Sequence, residues 1–257
     1  MAVFSPTVVC PPRSHDLIDG SLEIRGTGSE GWEFLRLLHE AGAATVERRY
    51  ARGEVLFGEG DPGDALYVLT EGVIKLSRGY SGGKEATLML LGPWDVFGDL
   101  AIGRRVYQHG CAEAMTACRV SKVPKVFVER ALKVRPEMAL KVVDLLRLEL
   151  ARHREMTACL LPHKAETKLA RLLLLLARRF GVREDVGVVI QLRLTQTELA
   201  RMISSTRESV SHALASLRRQ GVLALIAGRM VILDPAGLEY LASGTVIEKG
   251  TSPDLTL

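Results

Sequence analysis

Between Leu194 and Arg219 the chain sets out two short amphipathic segments around a polar turn: Leu-Thr-Gln-Thr-Glu-Leu-Ala-Arg-Met-Ile, then Ser-Ser-Thr, then Arg-Glu-Ser-Val-Ser-His-Ala-Leu-Ala-Ser-Leu-Arg-Arg. This spacing predicts a helix, a tight turn and a second helix, the outline of a helix-turn-helix. In the second segment Val210, Ala213, Leu214 and Leu217 recur at i, i+3, i+4 and i+7, so one stripe is buried. Arg207, Glu208, Ser211 and His212 then share the opposite face.

Those four side chains are the kinds that read base edges. Arg207 can place its planar fork on the O6 and N7 of a guanine, and Glu208 can accept from the N4 amino group of a cytosine. His212, four residues beyond Glu208, can donate a ring N–H to a guanine N7. Thr206 stands at the N-cap position, with the helix N-terminus facing phosphate. Thr195, Gln196, Thr197, Thr206 and Ser209 are short polar groups suited to phosphates, which set register without reading sequence.

Other features point the same way. After Gly221, the run Val222 to Leu233 holds two β-prone pieces around Ala227-Gly228-Arg229, the pattern of a winged helix hairpin. The chain carries only +4 net charge, but residues 161–233 hold twelve Lys and Arg against five Asp and Glu. That local surplus favours a polyanionic partner, double-stranded DNA.

The run Ser205-Thr-Arg-Glu-Ser-Val-Ser-His-Ala-Leu214 resembles the recognition helix of the cyclic AMP receptor protein and fumarate-nitrate reductase regulator (Crp/Fnr) family of transcription regulators. Phe57-Gly-Glu-Gly-Asp-Pro-Gly-Asp-Ala-Leu-Tyr-Val-Leu-Thr-Glu-Gly-Val-Ile-Lys-Leu76 is similar to the opening of that family's cyclic-nucleotide-binding-type β-roll, and Phe97-Gly-Asp-Leu100 falls where its ligand cassette begins. The resemblance covers about residues 45–240. Within the family, Phe180-Gly-Val and the approach from Gly187 to Leu194 look closest to the global nitrogen regulators, while Arg207-Glu208 looks more like the cyclic AMP receptors.

At 257 residues and 47% hydrophobic, the chain can bury one or two ordinary cores. The fold expected is α+β. Residues 1–30, rich in Pro and Gly without helical or strand period, read as a flexible arm. Residues 31–135 read as a β-roll (jelly-roll) sensor domain, with β-prone pieces Ala65 to Leu69, Val73 to Ser77, Ala86 to Leu91 and Cys118 to Val123 between glycine turns. Tyr80 to Lys84 reads as a hairpin turn, as does Gly72 beside Glu71. Residues 136–161 read as one long helix from Pro136 to Leu161, 162–240 as a winged helix-turn-helix domain starting with a helix from Lys164 to Phe180, and 241–257 as a flexible tail.

On the long helix Val143, Leu146, Leu150, His153, Thr157 and Leu160 fall near a heptad seam, which invites pairing with a second copy. The resemblance implies a parallel homodimer through this helix, contact with RNA polymerase, and TGTGA-like half-sites in an inverted repeat. His212 departs from the arginine usual at its position, and a monodentate imidazole predicts relaxed discrimination at the base it faces.

The resemblance also places an effector pocket at Phe97, Gly98, Asp99, Leu100, Gln108 and His109, with Asp99 where cyclic AMP receptors hold ribose with a glutamate. Gln108-His109 stands where an Arg-Ser pair would hold the cyclic phosphate. The anion-binding arginine is therefore missing, unless a register slip brings in Arg105. Three readings stay open: a cyclic nucleotide, another small anion, or no small ligand or an unfamiliar one.

Cys10, Cys111, Cys118 and Cys159 form no Cys-x-x-Cys and no N-terminal cluster, which argues against an iron–sulfur centre. A haem or thiol switch can be drawn from His109 with Cys111 and Cys118 in one strand region, but reduced, partly buried thiols fit better, and no metal site is expected. Asp95 and Asp99, or Glu54 and Glu59, lack a nucleophile and base beside them, so no enzyme is expected. No apolar run approaches a membrane span, and the chain reads as cytoplasmic. A second reading is a ligand- or redox-sensing module whose winged helix contacts protein. Steep salt dependence of DNA affinity separates the two.

Overall fold

A computed structural model describes residues 29–80, 82, 84–99 and 105–244, and these form two compact units. The first takes residues 29–157 together with 178–180; the second takes 158–177 and the residues from 181 onward. In chain order the first unit holds α1 (Glu30–Glu40), β1 (Val46–Tyr50), β2 (Val55–Phe57), β3 (Ala65–Glu71), β4 (Ile74–Tyr80), β5 (Lys84–Leu91), β6 (Val96–Phe97), β7 (Cys111–Ala114), β8 (Cys118–Pro124), α2 (Lys125–Val134) and most of α3 (Met138–Leu160). The second holds the end of α3, α4 (Ala165–Phe180) as far as Ala177, β9 (Gly181–Glu184), β10 (Gly187–Ile190), α5 (Gln196–Met202), α6 (Arg207–Arg219), β11 (Leu223–Ile226), β12 (Arg229–Ile232) and α7 (Pro235–Ser243).

The strands of the first unit pair antiparallel in two sheets of order β1-β8-β3-β6 and β2-β7-β4-β5. Alternation along β3 divides its side chains between two cores. Tyr67 and Leu69 face the inside of the roll with Phe57, Ile74, Met89, Phe97 and Val120. Leu66 and Val68 face outward, onto Phe34, Leu35 and Leu38 of α1 and Val128 of α2. Inside the roll the rings of Phe57, Tyr67 and Phe97 pack at centroid distances of 5.2 to 6.1 Å, within the range of favourable aromatic pairs.

The roll manages its buried charges by pairing. Lys75 on β4 lies 2.8 Å from Glu113 and 3.1 Å from Glu85. Burial pulls its pKa down, but the hydrogen bonds and charges of the two glutamates outweigh that and hold it above the ordinary lysine value. Asp95, between β5 and β6, is buried; it accepts the Gly92 N–H at 2.8 Å, has Arg152 Nη2 at 2.7 Å from one oxygen, and receives Arg179 on the other. Arg179 also donates to the Leu90 carbonyl at 2.7 Å.

In the second unit the strands run β11-β12-β10-β9. Leu169, Leu172, Leu173 and Leu176 of α4 are buried, as are Leu199 and Ile203 around the α5–α6 turn and Val210 and Leu217 of α6. Arg171 donates to the carbonyls of Ala158 (2.8 Å) and Ala242 (2.7 Å), satisfying free groups at the ends of α3 and α7.

Several expectations need correction. Glu30 begins α1, so the arm cannot extend through residue 30; residues 1–28, including Cys10, lie outside the described residues. The tail expected from residue 241 runs into α7, which continues to Ser243 before Gly244 adopts φ 75 at the C-cap; residues 245–257 lie outside the description. Gly72 has φ 92, but the turn it makes joins β3 to β4, which belong to different sheets, so it is a corner and not a hairpin. The Tyr80 to Lys84 turn does close a hairpin, with those two residues paired across β4 and β5. Cys111 and Cys118 sit on separate strands, β7 and β8.

Candidate nucleic-acid interface

The α5–α6 pair is set by its caps. Thr195 accepts the N–H of Glu198 at 3.2 Å, and the Glu198 carboxylate accepts the N–H of Thr195, a complete capping box. Thr206 accepts the N–H of Ser209 at 3.1 Å, and its hydroxyl lies 3.1 Å from that of Ser209. Two residues expected on phosphate thus also close helix ends. Between the helices the chain reverses at Ser204, which adopts φ 49, while Ser205 N–H reaches back to the Ala200 carbonyl at 3.0 Å.

Ile203 and Met202 plug the inside of this turn, and Val210, Ala213 and Leu217 bury the inner face of α6. Leu214, expected in the same stripe, is only half-buried. On the outer face Arg207, Glu208, Ser211 and His212 are all exposed and lie together, separated by one and four residues along the helix. Thr197 is exposed as well, and Gln196 and Ser209 are partly so. Hydrogen bonds from its own backbone N–H and the Thr206 hydroxyl, with the Arg207 charge, hold the Glu208 carboxyl below its ordinary pKa. It is therefore ionised at neutral pH, an acceptor only.

The wing is β11 and β12, paired from Leu223↔Ile232 to Ile226↔Arg229. Its turn is Ala227-Gly228, with φ 50 and φ 77, so Arg229 belongs to the strand and not to the turn. Two successive positive φ values are the primed hairpin geometry that suits the strand twist. The β9–β10 hairpin before α5 is legible in the sequence only as an approach to the helix pair.

The residues assigned to an effector pocket divide. Gln108 is buried, its side-chain oxygen accepts the Asp99 N–H at 3.0 Å, and its backbone is anchored to Gly60 (2.9 Å) and Asp61 (2.8 Å). Asp99 accepts the His109 N–H at 2.6 Å and faces its Nδ1 at 3.2 Å. Phe97 belongs to the aromatic core of the roll. Arg105 is exposed, so the register slip that would turn it inward does not occur: the two backbone anchors hold Gln108 in the buried position. Leu100 lies outside the described residues. Cys118 is buried, donating to the Val73 carbonyl at 3.2 Å, and burial pushes the Cys111 thiol up from its ordinary pKa, away from reactivity.

On α3 the seam residues Val143, Leu146, Leu150, His153 and Thr157 are exposed along one face and Leu160 is half-buried. Among the described residues no helix is long and apolar enough to cross a membrane.

Residues 167–241 match the model of the Crp-like helix-turn-helix domain, and residues 47–135 match that of the cyclic nucleotide-binding domain. The chain belongs to the Crp/Fnr family of transcription regulators. Among its family relatives is the global nitrogen regulator of Synechococcus elongatus, 32% identical over 209 residues, covering 79% of this chain and 94% of the relative. The CRP-like cAMP-activated global transcriptional regulator of Mycobacterium tuberculosis is 31% identical over 185 residues, 72% of this chain and 83% of the relative. A CRP-family transcriptional regulator of Thermus thermophilus shares the fold at TM-score 0.66 and 32% identity, over 79% of this chain and 100% of that one. Like the family, the chain is a DNA-binding transcription regulator and not an enzyme.

Proposed function

We propose that the protein acts in the cytoplasm as a homodimer that reads an inverted repeat of TGTGA-like half-sites, and that it does so without an obligatory cyclic nucleotide. The observation that carries the first part is the outer face of α6, where Arg207, Glu208, Ser211 and His212 stand exposed on a helix capped by Thr206. The α3 seam supports dimerisation: Val143, Leu146 and Leu150 are 59%, 58% and 50% exposed, a row of apolar side chains that a second copy would cover. Two such helices about 34 Å apart would enter successive major grooves.

The second part rests on Asp99. Its carboxylate is met from within the chain by His109, and Gln108-His109 stands where the resemblance to the cyclic AMP receptors would place an anion-binding arginine. An incoming phosphate or carboxylate would meet an amide and an imidazole at those two positions. Contact with RNA polymerase is a further part of the proposal, drawn from the family.

The seam tests the dimer. Leu146→Glu with Leu150→Glu places charge on exposed positions, where the fold itself has little to lose. Analytical ultracentrifugation should show the dimer of the parent become a monomer, with affinity for a two-half-site duplex reduced at least about tenfold. A double variant that stays dimeric and binds as before contradicts the seam.

A further inference from the structure

The first unit contains a cavity of about 340 Å³ on the outer face of the first sheet, walled by α1, β6, α2 and α3. It touches Phe97, Gly98 and Asp99 at one edge, but Gln108 and His109 do not line it, so it is not the expected effector pocket. Its volume falls at the small end of the range for small-molecule sites.

The lining is chemically one-sided. Two aromatic residues, Phe34 and Trp94, line it together with aliphatic groups of α3 such as Val142 and Leu145, while Phe97 borders it with its ring turned into the roll. Among the described residues its charged members are Glu30, Asp99, Glu149 and Arg152. Arg152 lies 2.7 Å from the buried Asp95, which it shares with Arg179, and Asp99 is engaged by His109; with Asp95 and Arg179 included, the described groups are four carboxylates against two guanidiniums, so negative charge prevails. Glu149 is near His153, at 3.8 Å, and is otherwise open to solvent. An anionic ligand would meet this mouth at a cost, whereas aromatic faces beside carboxylates attract cations.

The backbone holds Trp94 at this wall. Trp94 adopts φ 69, a conformation costly for a side chain of its size, and Gly31 of α1 lies so close that a Cβ there would meet the Trp94 carbonyl oxygen at 1.8 Å.

We propose that this cavity binds an organic cation, an apolar body packed against Trp94 and Phe34 with an ammonium group at Glu30 and Glu149. Leu146, on the α3 seam, closes one side, so the test uses the full-length protein. Isothermal titration calorimetry would compare adamantan-1-ammonium with adamantane-1-carboxylate, which share one apolar body and differ in charge. The ammonium is expected to bind at least about tenfold more tightly, a difference of about 1.4 kcal/mol. Glu149→Gln, at an exposed side chain, should shrink that preference severalfold, and Val142→Trp should abolish binding by filling the space. If Val142→Trp unfolds the protein, the Glu149→Gln comparison decides alone. Equal affinities, a preference for the carboxylate, no binding of the ammonium, or a preference unchanged in Glu149→Gln overturns the proposal.

Discussion

Asp99 accepts the backbone N–H of His109 at 2.6 Å and faces its Nδ1 at 3.2 Å, so its carboxylate is already engaged from within the chain. A ligand that binds the folded state at one hundred times its Kd adds about 2.7 kcal/mol of stability. On the proposed reading, millimolar cyclic AMP leaves the melting temperature of this protein unchanged and alters its DNA affinity less than about twofold. A shift of several degrees in differential scanning fluorimetry would show that Gln108 and His109 yield to the phosphate.

Asp95 is the most consequential single charge in the first unit. Its oxygens meet Arg152 and Arg179, and its burial is complete. Asp95→Asn would leave two partly buried guanidinium groups without their counter-charge. Breaking a buried pair from one side costs about 3–5 kcal/mol, and chemical denaturation at neutral pH should read a loss near the lower end, since Arg152 keeps some contact with water.

His39 supplies a pH dependence. Burial lowers its pKa from the ordinary 6.5, and its Nε2 lies 2.9 Å from the Thr45 hydroxyl. The folded state therefore binds fewer protons than the unfolded chain just below pH 6.5, and stability rises with pH wherever the unfolded state holds more. The contribution is complete above the unfolded value and is lost as the pH falls from there through the lowered folded value. Denaturation curves at pH 7.5 and 5.5 should differ less for His39→Gln than for the parent; equal differences would rule out this residue.

His212 sets the last prediction. It is exposed on the reading face of α6 with Glu208 one turn before it. An imidazole donates one hydrogen bond where a guanidinium donates two, and a good bidentate pair discriminates by about 1–3 kcal/mol. His212→Arg should sharpen selectivity among the four bases at the position it faces by roughly tenfold, measured by competition anisotropy. Unchanged selectivity would mean that His212 does not reach a base edge.

The periodic parts of this architecture are open to reading. Val210, Ala213 and Leu217 mark the helix, Thr195 and Thr206 its boundaries, and the Ala227-Gly228 pair its wing, because caps and turns act within a few residues. Helix α1 escapes the sequence reading although Phe34, Leu35 and Leu38 carry its spacing, since glycines at 26, 28 and 31 surround its start; the Gly31 position is required by the Trp94 carbonyl, a contact made 63 residues away along the chain. Helix α7 escapes it despite Asp234 and Pro235, the signature of its start, because it is short. The effector region is the hardest. Whether Arg105 or Gln108 turns inward depends on backbone bonds to Gly60 and Asp61, and no local pattern encodes those.

That the ligand-free protein reads an inverted repeat can be measured by fluorescence anisotropy of the purified protein on a TGTGA–N6–TCACA duplex and on a scrambled duplex, at one physiological salt concentration. Selective binding is expected, with the specific duplex favoured by at least about a thousandfold, the lower end for specific readers. Equal, weak binding to both duplexes in the absence of any small molecule would contradict it.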